Sequence, residues 1–358
     1  MLRLRFSHLI LVIACFLSIV LAIPAPKNVS EYQTVSRHQG NRRCLKVDRR
    51  KEWRDLSIKQ RKQYLDAVLC LHSKLPLDPT RDATTRFEEF QLTHILLTDR
   101  IHFVGQFLPW HRHLTILYNK ALRQECGYKG PSPYWDWTRD AESNQPLLQS
   151  PIFHPVTGFG GDGVPGTYAL PPDPNGEAEL GPFTPAELIN IWRGCVRNGP
   201  FANSVFHLGP GKMKTPHCLV RGINEPLLQE WLSTARVQEA LATQSYEEFR
   251  LLIDIDFYGI HGGGHGILGG EMTNGFSAPG DPLFYLHHAN LDRVWWLWQE
   301  ADPANRRYDI SGPIVKFGTS LDPQVNLDFQ LDFPSLGSNV TIRETMDASL
   351  EPNCFTYE

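Results

Sequence analysis

The sequence has no run of like charge: 35 Lys and Arg face 39 Asp and Glu, for a formal net charge of −4 over 358 residues. With neither a basic tract nor an acidic tail, there is no electrostatic case for nucleic acid or an anionic membrane as partner. No Cys-x-x-Cys pair is present, which excludes a zinc knuckle. Beyond residue 22 no stretch is apolar enough to span a bilayer, which takes roughly 20 residues. Internal repeats and linkers are absent too, so one large domain is the economical organisation. What the chain has in excess is 14 histidines and 9 tryptophans.

The opening residues stand apart. Arg3 and Arg5 precede an apolar run over residues 9–22, followed by Ile-Pro-Ala-Pro. A short basic start, an apolar centre and a small residue at the end describe a secretory signal cleaved near Ala22. The expected organisation is a signal over 1–22 and one domain over 23–358 of a secreted, extracellular protein. Cys15 leaves with the signal, and Cys44, Cys70, Cys126, Cys195, Cys218 and Cys354 remain. An even number in an oxidising compartment predicts three disulfides. Cys195 with Cys218 is the favoured pair, because the two bracket a Gly/Pro-rich stretch; the other pairings stay open. Asn28 and Asn339 each begin an Asn-x-Ser/Thr triplet, a glycan acceptor.

Apolar residues at near-helical spacing predict helices over 49–75, with Ser57 as a cap, over 83–98, and from Pro109 until Gly127 stops the third. Residues 143–184 are too rich in Gly and Pro for a helix or central strand and predict a long ordered loop. Helical pattern returns over 185–192, 225–234, 238–252 and 281–300. Short alternating pieces at 314–317 and 340–342 predict edge strands. The fold class is therefore mainly α, a helical bundle with long loops and a few short edge strands.

His94, His102 and His111 are separated by eight and nine residues. Eight residues along one straight helix turn a side chain ~80° off line. The spacing thus predicts His94 on one helix, His102 on the connection and His111 on the next helix. Three imidazoles converging from separate segments suit a metal with an open position. A second group is His261-Gly-Gly-Gly-His265 with His287-His288. Histidines at i and i+4 share a helix face. The zinc-protease signature has that spacing but needs Glu after its first histidine, where this chain has Gly262. A lone histidine on an apolar face is more often a hydrogen-bonded core residue; six in two triplets beside aromatic residues reverse that reading.

The stretch His102-Phe-Val-Gly-Gln-Phe-Leu-Pro-Trp-His111-Arg112 resembles the copper-A signature of tyrosinases and catechol oxidases. Asp281-Pro-Leu-Phe284-Tyr-Leu-His287-His288-Ala-Asn-Leu-Asp292-Arg293 resembles their copper-B signature, and Pro133-Tyr-Trp-Asp-Trp137 a segment between the two. The short interval from His94 to His102 looks like the short fungal polyphenol oxidases. The resemblance implies two copper ions per chain, one on His94, His102 and His111, the other on His261, His265 and His288. It leaves His287 a neighbour and implies supporting roles for Arg112, Asp292, Arg293 and Phe284. Three departures stand out. Asn119 replaces a usual Glu, and Arg100 stands where many relatives carry a crosslinking Cys. Gly262 stands where good monophenol hydroxylases often have Asn paired with an upstream Glu, the nearest acids here being Asp254 and Asp256.

The implied activity is oxidation of o-diphenols, with o-aminophenols or monophenols as further candidates, by dioxygen to o-quinone-type products. Two adjacent coppers can deliver two electrons to dioxygen together, and imidazole suits both copper oxidation states. Phenolic substrate and dioxygen are the implied partners. Two other readings share the motifs: a tailoring oxidase acting on one natural product, and a hemocyanin-like dioxygen or copper binder without turnover.

Overall fold

The computed structural model describes residues 43–254 and 259–358. The signal expectation, Asn28 and Asp256 lie outside the described residues.

Helices build the scaffold. They are α1 (Ile58–Ser73), α2 (Arg86–Ile101), α3 (Phe107–Cys126), α4 (Thr138–Ala141), α5 (Pro185–Ile191) and α6 (Pro226–Trp231), then α7 (Thr234–Leu241), α8 (Tyr246–Ile253), α9 (Ile260–Gly266), α10 (Leu283–Ala301), α11 (Pro303–Arg306) and α12 (Ile342–Met346). Local chemistry sets many ends. Ser57 with Gln60, and Thr85 with Glu88, form reciprocal capping boxes that satisfy the first amides of α1 and α2. Gly127 ends α3 at φ 69°, a left-handed conformation that a side chain would penalise.

The strands are short: β1 (Asp48–Glu52), β2 (Pro133–Tyr134), β3 (Gly194–Cys195), β4 (Val220–Arg221), β5 (Gln330–Leu331), β6 (Val340–Thr341) and β7 (Phe355–Tyr357). β1 lies between β2 and β7, parallel to both, with Arg50 opposite Tyr357. The Cys44–Cys354 disulfide closes the same end of the molecule, Cys70–Cys126 ties α1 to the end of α3, and Cys195–Cys218 is the favoured pair.

The fold is mainly helical with few short strands, as the sequence predicts, but three details differ. Residues 48–52 are strand because β7, some 300 positions away in sequence, supplies the ladder. The pattern over 238–252 divides into α7 and α8, since Ser245 caps a new helix start. Residues 314–317 form no strand: Phe317 sits at φ 55°, and only the single bridge Pro313 to Gln324 pairs there.

Trp53, Trp110, Trp135, Trp137, Trp295 and Trp298 are all buried in one core cluster with Phe87, Phe90 and Tyr118. α3 and α10 pack against each other through this core, and α1 and α2 close it. The long Gly/Pro segment after α4 carries only two single-turn 3-10 pieces before α5 and remains a loop.

Candidate metal centre

α2 presents His94, its C-terminal cap is His102, and the first turns of α3 present His111. The ligand atoms of these three buried residues lie within 4.8 Å of one another. α9 presents His261 and His265, and α10 presents His287 and His288; these four cluster equally closely. The two groups face each other. His111 stacks on His288 at 4.4 Å between ring centroids, and His102 on His261 at 5.7 Å.

Hydrogen bonding decides which nitrogen each ring offers. His94 Nδ1 bonds to Phe276 O at 2.9 Å, His102 Nδ1 to Thr98 O at 3.0 Å and His111 Nδ1 to Phe107 O at 2.9 Å. His265 Nδ1 bonds to Met272 O at 2.7 Å, and His261 Nδ1 to Asp254 Oδ1 at 3.0 Å. A carbonyl or carboxylate only accepts, so each Nδ1 carries the proton and each Nε2 presents a lone pair. Burial pulls the imidazoles of His94, His111, His265 and His288 well below their ordinary pKa, and that of His102 to about 4. The rings are neutral near pH 7.

The lone pairs have nowhere else to go. The Nε2 atoms of His94 and His111 are buried without a partner among the described residues. His265 Nε2 lies 2.9 Å from His261 Nε2 and 3.2 Å from His288 Nε2. Three ring nitrogens converge this closely, with the Nδ1 atoms of His261 and His265 already committed elsewhere, so the donor set fits a metal. All-nitrogen imidazole ligation in two facing groups suits copper.

His287 is different although it belongs to the same cluster. Its Nδ1 accepts from Trp137 Nε1–H at 3.0 Å, and its Nε2 therefore carries a proton, given to His261 O at 3.1 Å. Both nitrogens are consumed by the protein. Two of the four glycines of α9, Gly263 and Gly264, follow from the same packing, which offsets the about 1 kcal/mol that each costs a helix relative to Ala. A Cβ on Gly264 would lie 2.0 Å from the His287 ring, and one on Gly263 would lie 2.4 Å from Trp231 Cβ. Gly262, His265 and Gly266 are the half-buried positions of α9 and mark its open side.

Phe284 packs between the groups, 4.1 Å from the His288 ring and 5.2 Å from that of His94. Asp292 makes no hydrogen bond to a histidine among the described residues. Its carboxylate accepts from Arg112 Nε, from Arg50 Nη1 at 3.0 Å and from Tyr357 Oη, tying α3 to α10 and to β7. Arg293 lies away from the rings, its guanidinium 5.1 Å over Tyr134 and 3.5 Å from Asp136. These charged groups hold helices together; the ring tautomers are set by other residues. Arg100 points outward to Asp332, and Asn119 only back-bonds to Thr115 O.

Asp254 is the residue the sequence undervalues. Its Oδ1 orients His261, and its Oδ2 accepts from Phe103 N–H at 2.7 Å, just after His102. Burial would raise its pKa, but the hydrogen bonds from His261 and the Phe103 amide help to outweigh burial and lower it. A carboxylate with both oxygens engaged is a brace for two ligand segments. No spacing rule marks it, nor the carbonyls of Met272 and Phe276 or the indole of Trp137.

Comparison with known proteins agrees with this geometry. Residues 84–301 match the model of the common central domain of tyrosinase. The tyrosinase-like protein phomQ1 of Diaporthe leptostromiformis is 37% identical over 332 residues, covering 86% of this chain and 77% of that protein. The N-acetyl-6-hydroxytryptophan oxidase ivoB of Emericella nidulans is 31% identical, covering 86% of this chain and 92% of that protein. Among solved structures, a glycine-to-asparagine variant of the polyphenol oxidase from Thermothelomyces thermophila superposes with a TM-score of 0.74. It is 30% identical and covers 87% of this chain and 89% of that one.

Proposed function

This chain belongs to the tyrosinase family of type-3 copper proteins, and from that premise we propose that it oxidises o-diphenols with dioxygen to o-quinones. Membership makes it a copper-dependent oxidoreductase. His94, His102 and His111 would hold one copper, and His261, His265 and His288 the second. A copper pair there supplies two-electron exchange with dioxygen. Two catechols each lose two electrons and two protons, and one dioxygen becomes two waters.

One observation carries this reading: proton-bearing Nδ1 atoms tied to carbonyls or Asp254 turn the opposite Nε2 lone pairs into two facing clusters. The chain's own residues orient the rings, and Phe284 excludes water between them. A flat ring would enter over the half-buried side of α9 at Gly262 and Gly266. Hydroxylating a monophenol also needs a base beside the second copper to take the phenol proton. Gly262 has no side chain to offer, and Asp254 is fully engaged, so diphenol oxidation exceeds monophenol hydroxylation. Oxygen uptake on matched monophenols and diphenols tests this; equal turnover without a diphenol primer would overturn it.

A second reading uses the same site on one particular hydroxyaryl metabolite, and the similarity to ivoB favours it. A substrate panel separates a broad catechol profile from a single preferred compound. Export is part of the proposal: residues 1–22 act as the signal and 23–358 as the mature domain. Three disulfides fit an oxidising compartment, Asn339 is exposed for a glycan, and no helix among the described residues is long and apolar enough to cross a membrane.

A further inference from the structure

Residues 270–277 lead from α9 towards α10 as a 3-10 turn, Gly270–Thr273, followed by irregular chain. Two carbonyls of this stretch accept from histidines of different triplets: Met272 O from His265 at 2.7 Å and Phe276 O from His94 at 2.9 Å. One short segment therefore sets the direction of one ring in each group.

What holds the segment is mostly side-chain chemistry. Asn274 is buried and bonds four ways. Its Oδ1 accepts from the amides of Phe276 at 3.0 Å and Ser277 at 3.2 Å. Its Nδ2 donates to Ala178 O at 2.7 Å and Glu179 O at 3.2 Å, both on the long Gly/Pro loop. Ser277 Oγ accepts from Gly211 N–H at 3.0 Å, and Ser277 O from Gln91 Nε2 at 3.0 Å, one turn before His94 on α2. Glu271 lies 2.9 Å from His217, beside the Cys195–Cys218 bridge. The long Gly/Pro loop and the chain around Gly211 and His217 thus grip the segment that aims the two rings.

We propose that residues 271–277 are a strap that positions both metal sites at once, with Asn274 its positioning residue and the carbonyls of Ala178 and Glu179 its anchor. The proposal rests on the assignment of the two triplets as copper ligands. An Nδ1–H···O=C bond fixes the ring's rotation, so a strap that slides turns His94 and His265 together. Ligating groups must be held to about 0.5 Å, and loss of one outer partner typically costs 10–100-fold in metal affinity. Asn274→Ala removes the restraint on a ligand at each site. Asp254→Ala also releases the Phe103 amide, but among the ligand rings it frees only that of His261, because the His102 ring keeps its bond to Thr98 O.

The test is copper per chain during titration with a competing chelator, on wild type, Asn274→Ala and Asp254→Ala. The cupric electron paramagnetic resonance signal is read in parallel, and the fold is checked on metal-free protein by near-ultraviolet dichroism. Asp254→Ala is expected to pass through a one-copper plateau carrying the signal of a half-filled pair. Asn274→Ala is expected to lose both coppers together, at roughly 10–100-fold lower chelator, with no plateau. Should Asn274→Ala fail to fold, Ser277→Ala, which gives up only the Gly211 contact, is expected to show the same paired loss at the lower end of that range. Two coppers held as tightly as in wild type, or loss from one site alone, would overturn the strap. A wild type that binds no copper would instead overturn the ligand assignment beneath it.

Discussion

Replacing His287 by Phe keeps most of the ring volume and removes both polar contacts. Trp137 Nε1–H would then be stranded in a site where Trp137 and His287 are fully buried, and the helix carbonyl of His261 would lose one acceptance. A buried donor left without a partner costs about 1–3 kcal/mol, with little added for a cavity. A domain of this size should melt several degrees lower. Copper content should stay at two per chain, because the wild-type His287 has no lone pair to give. His288→Ala should do the reverse. It removes the Nε2 that lies 3.2 Å from His265 Nε2, and copper should fall towards one per chain while melting of the metal-free protein changes less. Metal analysis beside thermal melting of the apo proteins reads both quantities. If His287→Phe loses copper while His288→Ala retains two, the tautomer argument from Trp137 is wrong.

Other expectations follow from single contacts. Gly264→Ala should destabilise by about 1–3 kcal/mol from overpacking, since its Cβ would sit 2.0 Å from the His287 ring. Gly266→Ala should be neutral or stabilising in the same melting assay, because its Cβ would meet only Leu227 at 3.3 Å; a reversed order would refute the packing. Unreduced peptide mapping should recover Cys195 bonded to Cys218, and removing that bridge, which spans 23 positions, should cost about 3 kcal/mol in the chain-entropy model. A free thiol at either position contradicts it. Burial would lower the His217 pKa, but Glu271 at 2.9 Å outweighs burial and raises it. The stabilisation is therefore complete below the ordinary value near 6.5 and fades as pH rises through the raised one. The stability gap between apo wild type and His217→Gln should shrink as pH rises above the ordinary imidazole value and through the raised one; a widening gap reverses the sign.

Much of this protein is legible in short range. Capping residues Ser57 and Thr85, the stop at Gly127, the helical periods of α1 to α3 and α10, and the two histidine triplets all depend on neighbours within a few positions. Backbone sterics and i to i+4 bonding act over that range, so sequence alone carries them. It does not carry the choice of partner. Residues 48–52 satisfy a helical pattern but become strand because β7 offers a ladder. His287 and His288 are adjacent and chemically identical; Trp137, 150 positions away, consumes the first and leaves the second. Asp254 reads in sequence only as a nearby upstream acid, and folding makes it a brace, since His261 and the Phe103 amide occupy both its oxygens. Arg293 sits in the motif yet turns towards Tyr134. A histidine's ligand nitrogen depends on where its other proton goes, and the acceptors, Phe276 O and Met272 O, are backbone atoms that any residue type would supply. Residue types are written in the sequence, whereas the meeting of a ring with one particular carbonyl is decided only when distant segments pack.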